Sequence, residues 1–439
     1  MYLAYSLLLT LGLIVLIPRF IYFGVAHGKY ITGFRERLGL VTPLPNNQAS
    51  TIWLHCVSVG ETQAARPLVQ RLRAEFPAHN LVVSTITRTG QQLARDVFKN
   101  DATSVVYFPF DWRFSVRRAL RRIDPAVVVV METELWPNFL RECRKRSIPV
   151  VLVNGRISGQ SFRRYKLIKF FMKRVLSDIT VALMQSNEDA KRINALGMNE
   201  ENTYVTGNLK FDAPARPLTD SATEQLRQRF GFKSDTSVIL AASTHSTEEQ
   251  IVLESFRTLK YGKRHPVRLL LAPRHPERFR EVAELLQKSG LNWARKTDPQ
   301  QPSDALADVV LLDTIGELPA TYSLATVVFV GGSLIDKGGH NVLEPAAAGR
   351  TVVTGAFTHN FNAIVTLLNE ADAIVQLPRL DSDDAVEALR DTFDDLLTNT
   401  ARREELATHG MELIINNQGA SDRTLEILRR FVPSPTALP

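Results

Sequence analysis

A carboxylate follows the first apolar stretch of strand length, where it could act on a hydroxyl group. The segment HCVSVGET (55–62) ends an apolar run, turns at Gly60 and places Glu61 in the first turn of a predicted helix. Two interpretations fit these residues equally well. Glu61 either complements the positive end of its helix dipole or takes a proton from a sugar hydroxyl as a general base.

Two further charged segments stand at comparable positions. METELWPN (131–138) puts Glu132 and Glu134 directly after a very apolar run, where carboxylates are costly unless they have partners. We expect one of them to cap the following helix and the other to face a cleft. GNLKFD (207–212) places Lys210 at a domain junction, either as a group that meets a phosphate or developing negative charge, or as an ordinary exposed linker lysine.

The second half carries turn segments of the kind that bind nucleotides. Arg274 follows a strand-like run in APRHPE (272–277), well placed to bind a phosphate or carboxylate by two hydrogen bonds. Glycine-containing turns follow at 314–318, 330–333 and 338–345, and glycines before a helix start let backbone N–H groups approach a phosphate. Glu344, one turn into a predicted helix, could hold both hydroxyls of a ribose. Four such turns in one domain favour a nucleotide site.

These residues are positioned by short apolar runs that alternate with helical patterns, which predicts parallel sheets covered on both faces. The predicted strands are Thr51–Val57, Leu81–Thr85, Ser104–Phe108, Ala126–Met131, Pro149–Val153, Ile179–Met184, Thr203–Thr206, Val238–Ala242, Arg268–Ala272, Asp308–Leu312, Val327–Val330, Thr351–Thr354 and Ile374–Gln376. A linker at 207–219 contains Pro214 and Pro217, and the tail from Asp384 reads as helix only. We therefore predict two doubly wound α/β domains facing a cleft, over residues 25–212 and 213–439.

The N-terminus predicts a membrane anchor over residues 1–24. Residues 1–18 carry no charge, the apolar character continues past Arg19, and about 20 helical residues suffice to cross a bilayer core. Basic residues follow the run and none precedes it, which argues against a cleaved signal peptide and keeps the body in the cytoplasm. A buried helix of the first domain is the alternative interpretation. Cys56 and Cys143, without metal-ligand spacing, fit a reducing compartment.

The charge is unevenly distributed along the chain. Residues 1–212 hold 29 Lys and Arg against 16 Asp and Glu, whereas the remainder holds 24 against 30. The first half is thus expected to meet something anionic: nucleic acid, a membrane face or a phosphorylated substrate. Basic clusters at 117–122, 141–146 and 163–174, the last interleaved with Phe162, Tyr165, Phe170 and Phe171, favour a membrane-facing surface once the anchor is considered. Nucleic acid is not the expected partner.

Taken together, the motifs resemble the 3-deoxy-D-manno-octulosonic acid (Kdo) transferases. The motifs that carry the resemblance are HCVSVGET, METELWPN, GNLKFD, PRHPERF, GELPATY, FVGGSL and GGHNVLEPAA. They follow that family's order and spacing from the apolar N-terminus to Gln418-Gly419-Ala420. The resemblance implies a GT-B fold with an N-terminal anchor at the cytoplasmic side of the inner membrane of Gram-negative bacteria. It also implies CMP-Kdo as donor, lipid IV-A as acceptor and inversion of the anomeric centre, in lipopolysaccharide biosynthesis.

The same resemblance assigns roles to individual residues. Glu61 resembles the family's general base, and Glu132 and Lys210 its transition-state-stabilising residues. The segments that resemble its CMP contacts are Pro273 with Arg274; Ile315, Gly316 and Glu317; and Asn341, Val342, Leu343 and Glu344. We predict neither a metal nor another cofactor, since a leaving group with one phosphate needs a divalent cation less than a diphosphate does.

Two rival classes remain open at this stage. A soluble nucleotide-sugar 2-epimerase would share the two-domain fold but lack the anchor and the basic first half. A membrane-tethered nucleotide sensor would keep the nucleotide site yet gain nothing from Glu61 and Glu132. Measuring CMP release with and without lipid acceptor separates the three classes.

Overall fold

The computed structural model describes residues 1–27, 33–44, 49–212, 220–233, 236–262 and 266–433, and in the N-terminal helix the side chains of residues 1–12, 14 and 15. The chain divides into two compact units. The first contains the chain up to Ala213 together with the segment from Asn417 onward, and the second contains Pro214–Asn416. The predicted linker prolines lie outside the described residues.

The first unit alternates strands with helices, as the sequence pattern predicts. Its strands are β1 Thr51–His55, β2 Asn80–Thr85, β3 Ser104–Tyr107, β4 Pro125–Met131, β5 Val150–Gly155, β6 Val181–Met184 and β7 Thr203–Val205. Its helices are α1 Tyr2–His27, α2 Phe34–Arg37, α3 Val59–Glu75, α4 Arg88–Val97, α5 Arg113–Ile123, α6 Pro137–Lys145, α7 Gly159–Leu167, α8 Lys169–Leu176 and α9 Asn187–Leu196, with 3-10 turns at Glu200–Asn202 and Leu209–Asp212.

The described strands of this unit form one parallel sheet in the order β3-β2-β1-β4-β5-β6-β7. Alternate residues of β4 enter different cores: Val128 and Val130 pack on one face, Val127 and Val129 on the other. Because both faces are buried, the central strands are largely apolar. The strand order reverses between β1 and β4, which are paired, and ligands of such sheets sit beyond the carboxyl ends at this reversal.

The second unit repeats the architecture. Its strands are β8 Ser237–Thr244, β9 Val267–Pro273, β10 Trp293–Arg295, β11 Val309–Leu311, β12 Val327–Val330, β13 Thr351–Thr354 and β14 Val375–Gln376. Its helices are α10 Asp220–Phe230, α11 Glu248–Tyr261, α12 Phe279–Lys288, α13 Leu318–Tyr322, α14 Leu343–Ala347, α15 Asn362–Glu370, α16 Ser382–Thr398 and α17 Thr400–Asn417, with 3-10 turns at Pro276–Arg278 and Pro302–Leu306.

The second sheet is also parallel, in the order β10-β11-β9-β8-β12-β13-β14 over the described residues. Its order reverses between β8 and β12, which pair through Ile239–Val327 to Ala242–Val330. The thirteen predicted strands are confirmed within about two residues at each end. Strand β10 was missed, since three residues alone give no periodic signal. Asp381 caps α16, its carboxylate accepting from the Asp384 N–H at 3.1 Å.

The C-terminal segment corrects the predicted extent of the second domain. Helix α18 (Ala420–Leu428) belongs to the first unit, not the second. Leu425 and Leu428 are buried in the same core cluster as Leu54 and Leu68. Burying this apolar face on α3 outweighs proximity along the chain, which a sequence pattern cannot reveal.

Helix α1 presents its polar side chains to the first unit. Ser6 accepts a hydrogen bond from Asn138 Nδ2 at 3.0 Å, and Thr10 accepts one from Trp112 Nε1 at 3.2 Å. Leu9 is partly buried, whereas six large apolar side chains in the described part of α1 are exposed: Leu3, Leu7, Leu8, Leu11, Ile14 and Val15. Within the described part of the chain, no helix is both long enough and apolar enough to cross a membrane.

The basic segment 163–174 differs in part from the prediction of interleaved exposed aromatics. Phe170 is 81% exposed. Phe162, Tyr165 and Phe171 instead pack against the core of the first unit. Leu167 and Ile168, at the junction of α7 and α8, supply the exposed apolar surface in their place.

Candidate active site

Glu61 is held at the N-terminus of α3, beyond the carboxyl end of β1. Ser58 is the N-cap residue, and the Glu61 carboxylate accepts from Val57 N–H at 2.8 Å and from Ser58 Oγ at 3.1 Å. The side chain lies almost entirely below the surface, and the residue is only 6% exposed. Glu61 therefore lies in the first turn of the helix, where its charge complements the dipole as the sequence allowed. The two hydrogen bonds also fix the carboxylate in one orientation, which a proton acceptor requires.

Burial raises the pKa of Glu61 to about 8. The nearby carboxylates Glu132 and Glu134 act in the same direction, whereas the hydrogen bonds from Val57 and Ser58 oppose the rise. A carboxyl group with a pKa near the working pH is suited to accept a proton from a hydroxyl group. A structural role at the start of a helix does not require a raised pKa, so the raised pKa of Glu61 favours its role in proton transfer.

Glu132 follows β4, the strand next to β1, in a strained backbone conformation. Its φ is 52°, a left-handed value that costs on the order of 1–3 kcal/mol for a residue other than glycine. Its N–H donates to Val153 O at 2.8 Å, which holds the turn in place. The charge of Glu132 raises the pKa of Glu134, after burial as the larger cause. The sheet order therefore brings the HCVSVGET and METELWPN motifs together at the reversal point.

The expectation that Glu132 or Glu134 caps the next helix is wrong. Helix α6 begins at Pro137, and its N-cap residue Trp136 makes no side-chain cap. The first free N–H groups, those of Asn138 and Phe139, donate to the buried carboxylate of Asp111 at 3.1 and 2.8 Å. Asp111 comes from the loop before α5, so this cap is a tertiary contact.

Lys210 lies in the ordered 3-10 turn Leu209–Asp212 and not in an exposed linker. Leu209 is fully buried in the core cluster that contains Cys56, the residue after β1, and Met131, the last residue of β4. Its N–H donates to Asn154 Oδ1 at 3.0 Å, and Lys210 N–H donates to Asn208 Oδ1 at 3.0 Å. The half-buried Lys210 is thus fixed to the same end of the sheet as Glu61 and Glu132.

The predicted CMP segments gather in the second unit. Pro273 ends β9, and the backbone N–H of Arg274 donates to Thr244 O at 2.9 Å. The Arg274 side chain is exposed. Ile315 and Gly316 form an exposed turn, with a Gly316 φ of 86° that favours glycine. Glu317 accepts a hydrogen bond from Thr314 Oγ1.

A tyrosine joins two of these segments. Tyr322, at the end of α13, donates its hydroxyl to Glu344 Oε2 at 3.2 Å, and Asn341 Nδ2 donates to Glu344 Oε1 at 3.0 Å. Asn341 Oδ1 accepts from Leu343 N–H at 3.1 Å, and Val342 is buried. Each Glu344 oxygen accepts one hydrogen bond from these partners. A carboxylate oxygen can accept two, so both can still receive a ribose hydroxyl.

The sequence did not single out Glu248, His245 or His340. The rings of His245 and His340 face each other. The signal that the sequence offers is position: His245 immediately follows β8, as Glu61 and Glu132 follow β1 and β4. Among the described residues, no group of three or more histidine, cysteine or acidic side chains is arranged to hold a metal ion. The metal-free reaction stays a prediction.

Comparison with known proteins identifies first the class and then the family. The fold is that of GT-B proteins, and a solved UDP-GlcNAc 2-epimerase from Neisseria meningitidis matches with a TM-score of 0.58 and 15% identity over 87% of this chain and 100% of that one. That likeness concerns the fold alone. A family model described as 3-deoxy-D-manno-octulosonic-acid transferase matches residues 32–213.

Curated relatives cover nearly the whole chain. A 3-deoxy-D-manno-octulosonic acid transferase of Haemophilus influenzae is 35% identical over 408 residues, 93% of each chain. A transferase of the same name from Bordetella pertussis is 35% identical over 402 residues, 90% of each chain. The chain belongs to the Kdo transferase family and is a glycosyltransferase. The resemblance seen in the motifs is confirmed.

Proposed function

We propose that this chain transfers Kdo from CMP-Kdo to lipid IV-A with inversion, in lipopolysaccharide biosynthesis. The observation that carries the proposal is the buried, oriented Glu61 carboxylate with its raised pKa, in a chain of the Kdo transferase family. Glu61 takes the proton of a glucosamine 6-hydroxyl, and that oxygen attacks C2 of the donor sugar. A single displacement of this kind inverts the anomeric centre.

The remaining site residues take electrostatic roles in this mechanism. CMP leaves as the bond to C2 breaks, and its phosphate keeps the electron pair of that bond. Lys210 offsets negative charge that develops in the transition state, and Arg274 offsets that of the departing phosphate. Glu132 is proposed as a second transition-state-stabilising residue of the first unit. For a later addition, the acceptor would be a hydroxyl of Kdo itself.

An assay of CMP release tests the proposal directly. Purified protein with CMP-Kdo should release CMP rapidly only when lipid IV-A is present, and the product should carry Kdo in the anomeric configuration opposite to that of the donor. A nucleotide sensor would release no CMP under either condition. Release that does not depend on the lipid, or a product of retained configuration, would contradict the proposal.

We further propose that the chain acts at the cytoplasmic face of the inner membrane, attached through α1 and adjacent basic surfaces. Two features support this. Six large apolar side chains in the described part of α1 are exposed, and beside them a groove of about 850 Å³ is lined by Leu3, Trp112 and Phe114 with arginines of α5. Apolar side chains flanked by arginines suit an anionic bilayer surface. The arginines of this groove are Arg113, Arg117, Arg118 and Arg121.

A charge-removal experiment tests the membrane surface at α7 and α8. Replacing Arg163, Arg164, Lys169 and Lys173 by serine should weaken sedimentation with anionic vesicles at least tenfold, since each basic residue contributes on the order of 1 kcal/mol. The apparent KM for the lipid acceptor should rise, and CMP affinity should not change. Binding by wild type should fade as salt is raised.

A matched control removes the same charge from the second unit, at the exposed residues Arg257, Arg280, Lys288 and Arg402. This control should bind anionic vesicles much as wild type does. Equal loss in both variants would mean that net charge alone matters. If the wild-type protein sediments no more with anionic vesicles than with neutral ones, the basic surface does not bind the membrane.

Donor binding is tested in the second unit by two substitutions. Arg274→Ala and Glu344→Gln should each weaken CMP binding about tenfold or more, because each removes a charge-assisted hydrogen bond. Acceptor KM should change little. Isothermal titration calorimetry with CMP gives the measurement, with His409→Gln, on helix α17, as the control. Unchanged CMP affinity in both variants would show that the donor site lies elsewhere.

A further inference from the structure

Three strand ends of the second unit bring three histidines together. His245 follows β8, His275 follows β9, and His340 lies in the loop after β12. The rings of His245 and His340 are parallel, with centroids 5.1 Å apart and their Nε2 atoms at 2.8 Å. The His275 ring stands edge-on to His245, also at 5.1 Å. The cluster sits where the order of the second sheet reverses, between β8 and β12.

The surroundings of this cluster are cationic. Burial lowers the pKa of His245 to about 4, and His275, Lys337, Arg274 and Arg278 lower it further. Burial also lowers the pKa of His340 to about 4, and His245, Arg274 and His275 lower it further. Two partly buried imidazoles therefore face each other, and the cations Lys337, Arg274 and Arg278 add a positive potential there. Such a potential favours an anion over a cation or a neutral ligand.

The backbone around the cluster is fixed by one buried carboxylate. Glu248 accepts four backbone N–H groups: His245 at 3.0 Å and Gly332 at 2.7 Å on Oε2, and Ser333 at 2.9 Å and Leu334 at 3.0 Å on Oε1. Glu248 thereby ties the turn after β8 to the turn after β12. Charge-assisted bonds of this kind are strong, so the two turns form one rigid unit.

The His340 ring packs closely against Gly332. Gly332 has a φ of 68°, and a Cβ built on it would lie 3.0 Å from His340 Cδ2 and 3.5 Å from His245 Cδ2. The two rings rest on a glycine, in a turn held by Glu248. The imidazole pair is therefore positioned before any ligand binds, and a site organised in advance loses less entropy on binding.

We propose that His245 and His340 form an oxyanion subsite for the sugar-nucleotide donor, positioned by Glu248. The ligand is the phosphate or the carboxylate of the donor, which present the same acceptor oxygens to imidazole N–H groups. The two Nε2 atoms face each other and share one hydrogen, so one neutral ring carries its hydrogen on Nε2 and the other on Nδ1. The incoming oxyanion replaces that mutual bond and accepts from the Nε2–H of the first ring, and from the second ring once its hydrogen has moved from Nδ1 to Nε2. This inference rests on the proposed function, because it takes CMP-Kdo to be the donor.

The experiment measures binding of CMP and of cytidine by calorimetry, together with the KM for CMP-Kdo in the transfer assay. If the pair binds the phosphate, His245→Gln and His340→Gln should weaken CMP binding about tenfold or more and leave cytidine binding unchanged. If it binds the carboxylate, CMP affinity should stay constant while the KM for CMP-Kdo rises by a similar factor. Unchanged CMP affinity and unchanged KM in both variants would overturn the proposal.

Two further variants separate binding from folding. Glu248→Gln keeps the side-chain shape but loses two of the four accepted bonds, so it should reproduce the loss of the histidine variants without changing cytidine affinity. His409→Gln should change neither ligand. Equal loss of CMP and cytidine affinity in Glu248→Gln would show general disruption instead of positioning. If wild type binds CMP in a histidine-dependent way but transfers no Kdo, the subsite stands and the proposed function fails.

Discussion

Replacing Glu61 by glutamine is expected to abolish Kdo transfer almost completely. Removing a general base typically lowers the rate by about 10²–10⁴. The glutamine fits the same space and can still accept one of the two hydrogen bonds that Val57 and Ser58 donate. CMP affinity should therefore stay within a few-fold of wild type, since the proposed CMP residues lie in the second unit. A steady-state transfer assay combined with CMP calorimetry gives both values.

The chain offers a matched control for the structural role of Glu61 in the first turn of α3. Asp189 stands at the start of α9 in the same arrangement: Ser186 Oγ donates to it at 2.6 Å, and the backbone N–H of Ile157 donates to it at 2.8 Å. Asp189 is also buried, but it does not follow β1 or β4. Asp189→Asn should therefore cost stability of about 1 kcal/mol and leave turnover nearly unchanged. Comparable loss of turnover in both variants would assign the effect of Glu61 to structure.

The pH dependence of transfer should report the pKa of Glu61. A general base acts as the carboxylate, which predominates above its pKa of about 8, so kcat/KM should rise with pH through this value. Glu134→Gln removes one of the charges that raise this pKa, and the rising limb should then move to lower pH. A limb near the ordinary pKa of a glutamate would mean that another step or group controls the rate.

Replacing Lys210 by methionine is expected to lower kcat by about 10²–10³, the loss typical of removing one group that stabilises transition-state charge. Methionine keeps most of the apolar stem, so Leu209 should stay in its core position and the turn should persist. Because the charge acts on the transition state, CMP affinity should be nearly unchanged. Lys210→Arg, which retains the charge, should recover part of the activity.

A surface lysine of the first unit supplies the comparison for Lys210. Lys191, exposed on α9, should tolerate methionine with no measurable change in kcat. Thermal unfolding of all three variants identifies any loss of fold. If Lys210→Met retains turnover within a factor of a few of wild type, the lysine does not stabilise the transition state.

Several features of the site could be predicted from sequence because they depend on neighbouring residues. Runs such as Val127–Met131 are apolar at every position, which only a strand buried on both faces requires. Ser58 and Glu61 have the spacing of a capping box, and Asp381 stands where a cap for α16 is needed. The motif resemblance adds the family, since its segments keep their order along the chain.

Only the tertiary structure decided which of these local features meet. The sheet order places β1 beside β4, so that burial and the charges of Glu132 and Glu134 together raise the pKa of Glu61. Strand order depends on contacts between segments distant in sequence, and no local pattern encodes it. Three other features also depend on contacts between distant segments. Helix α18 packs in the first unit, and Asp111 accepts the N-terminal N–H groups of α6 that a METELWPN carboxylate was expected to accept. Glu248 connects the turn that contains His245 to the turn that contains Gly332. The sequence by itself determined the elements and the chemical groups at their ends. Long-range burial and hydrogen bonding decided which groups act together.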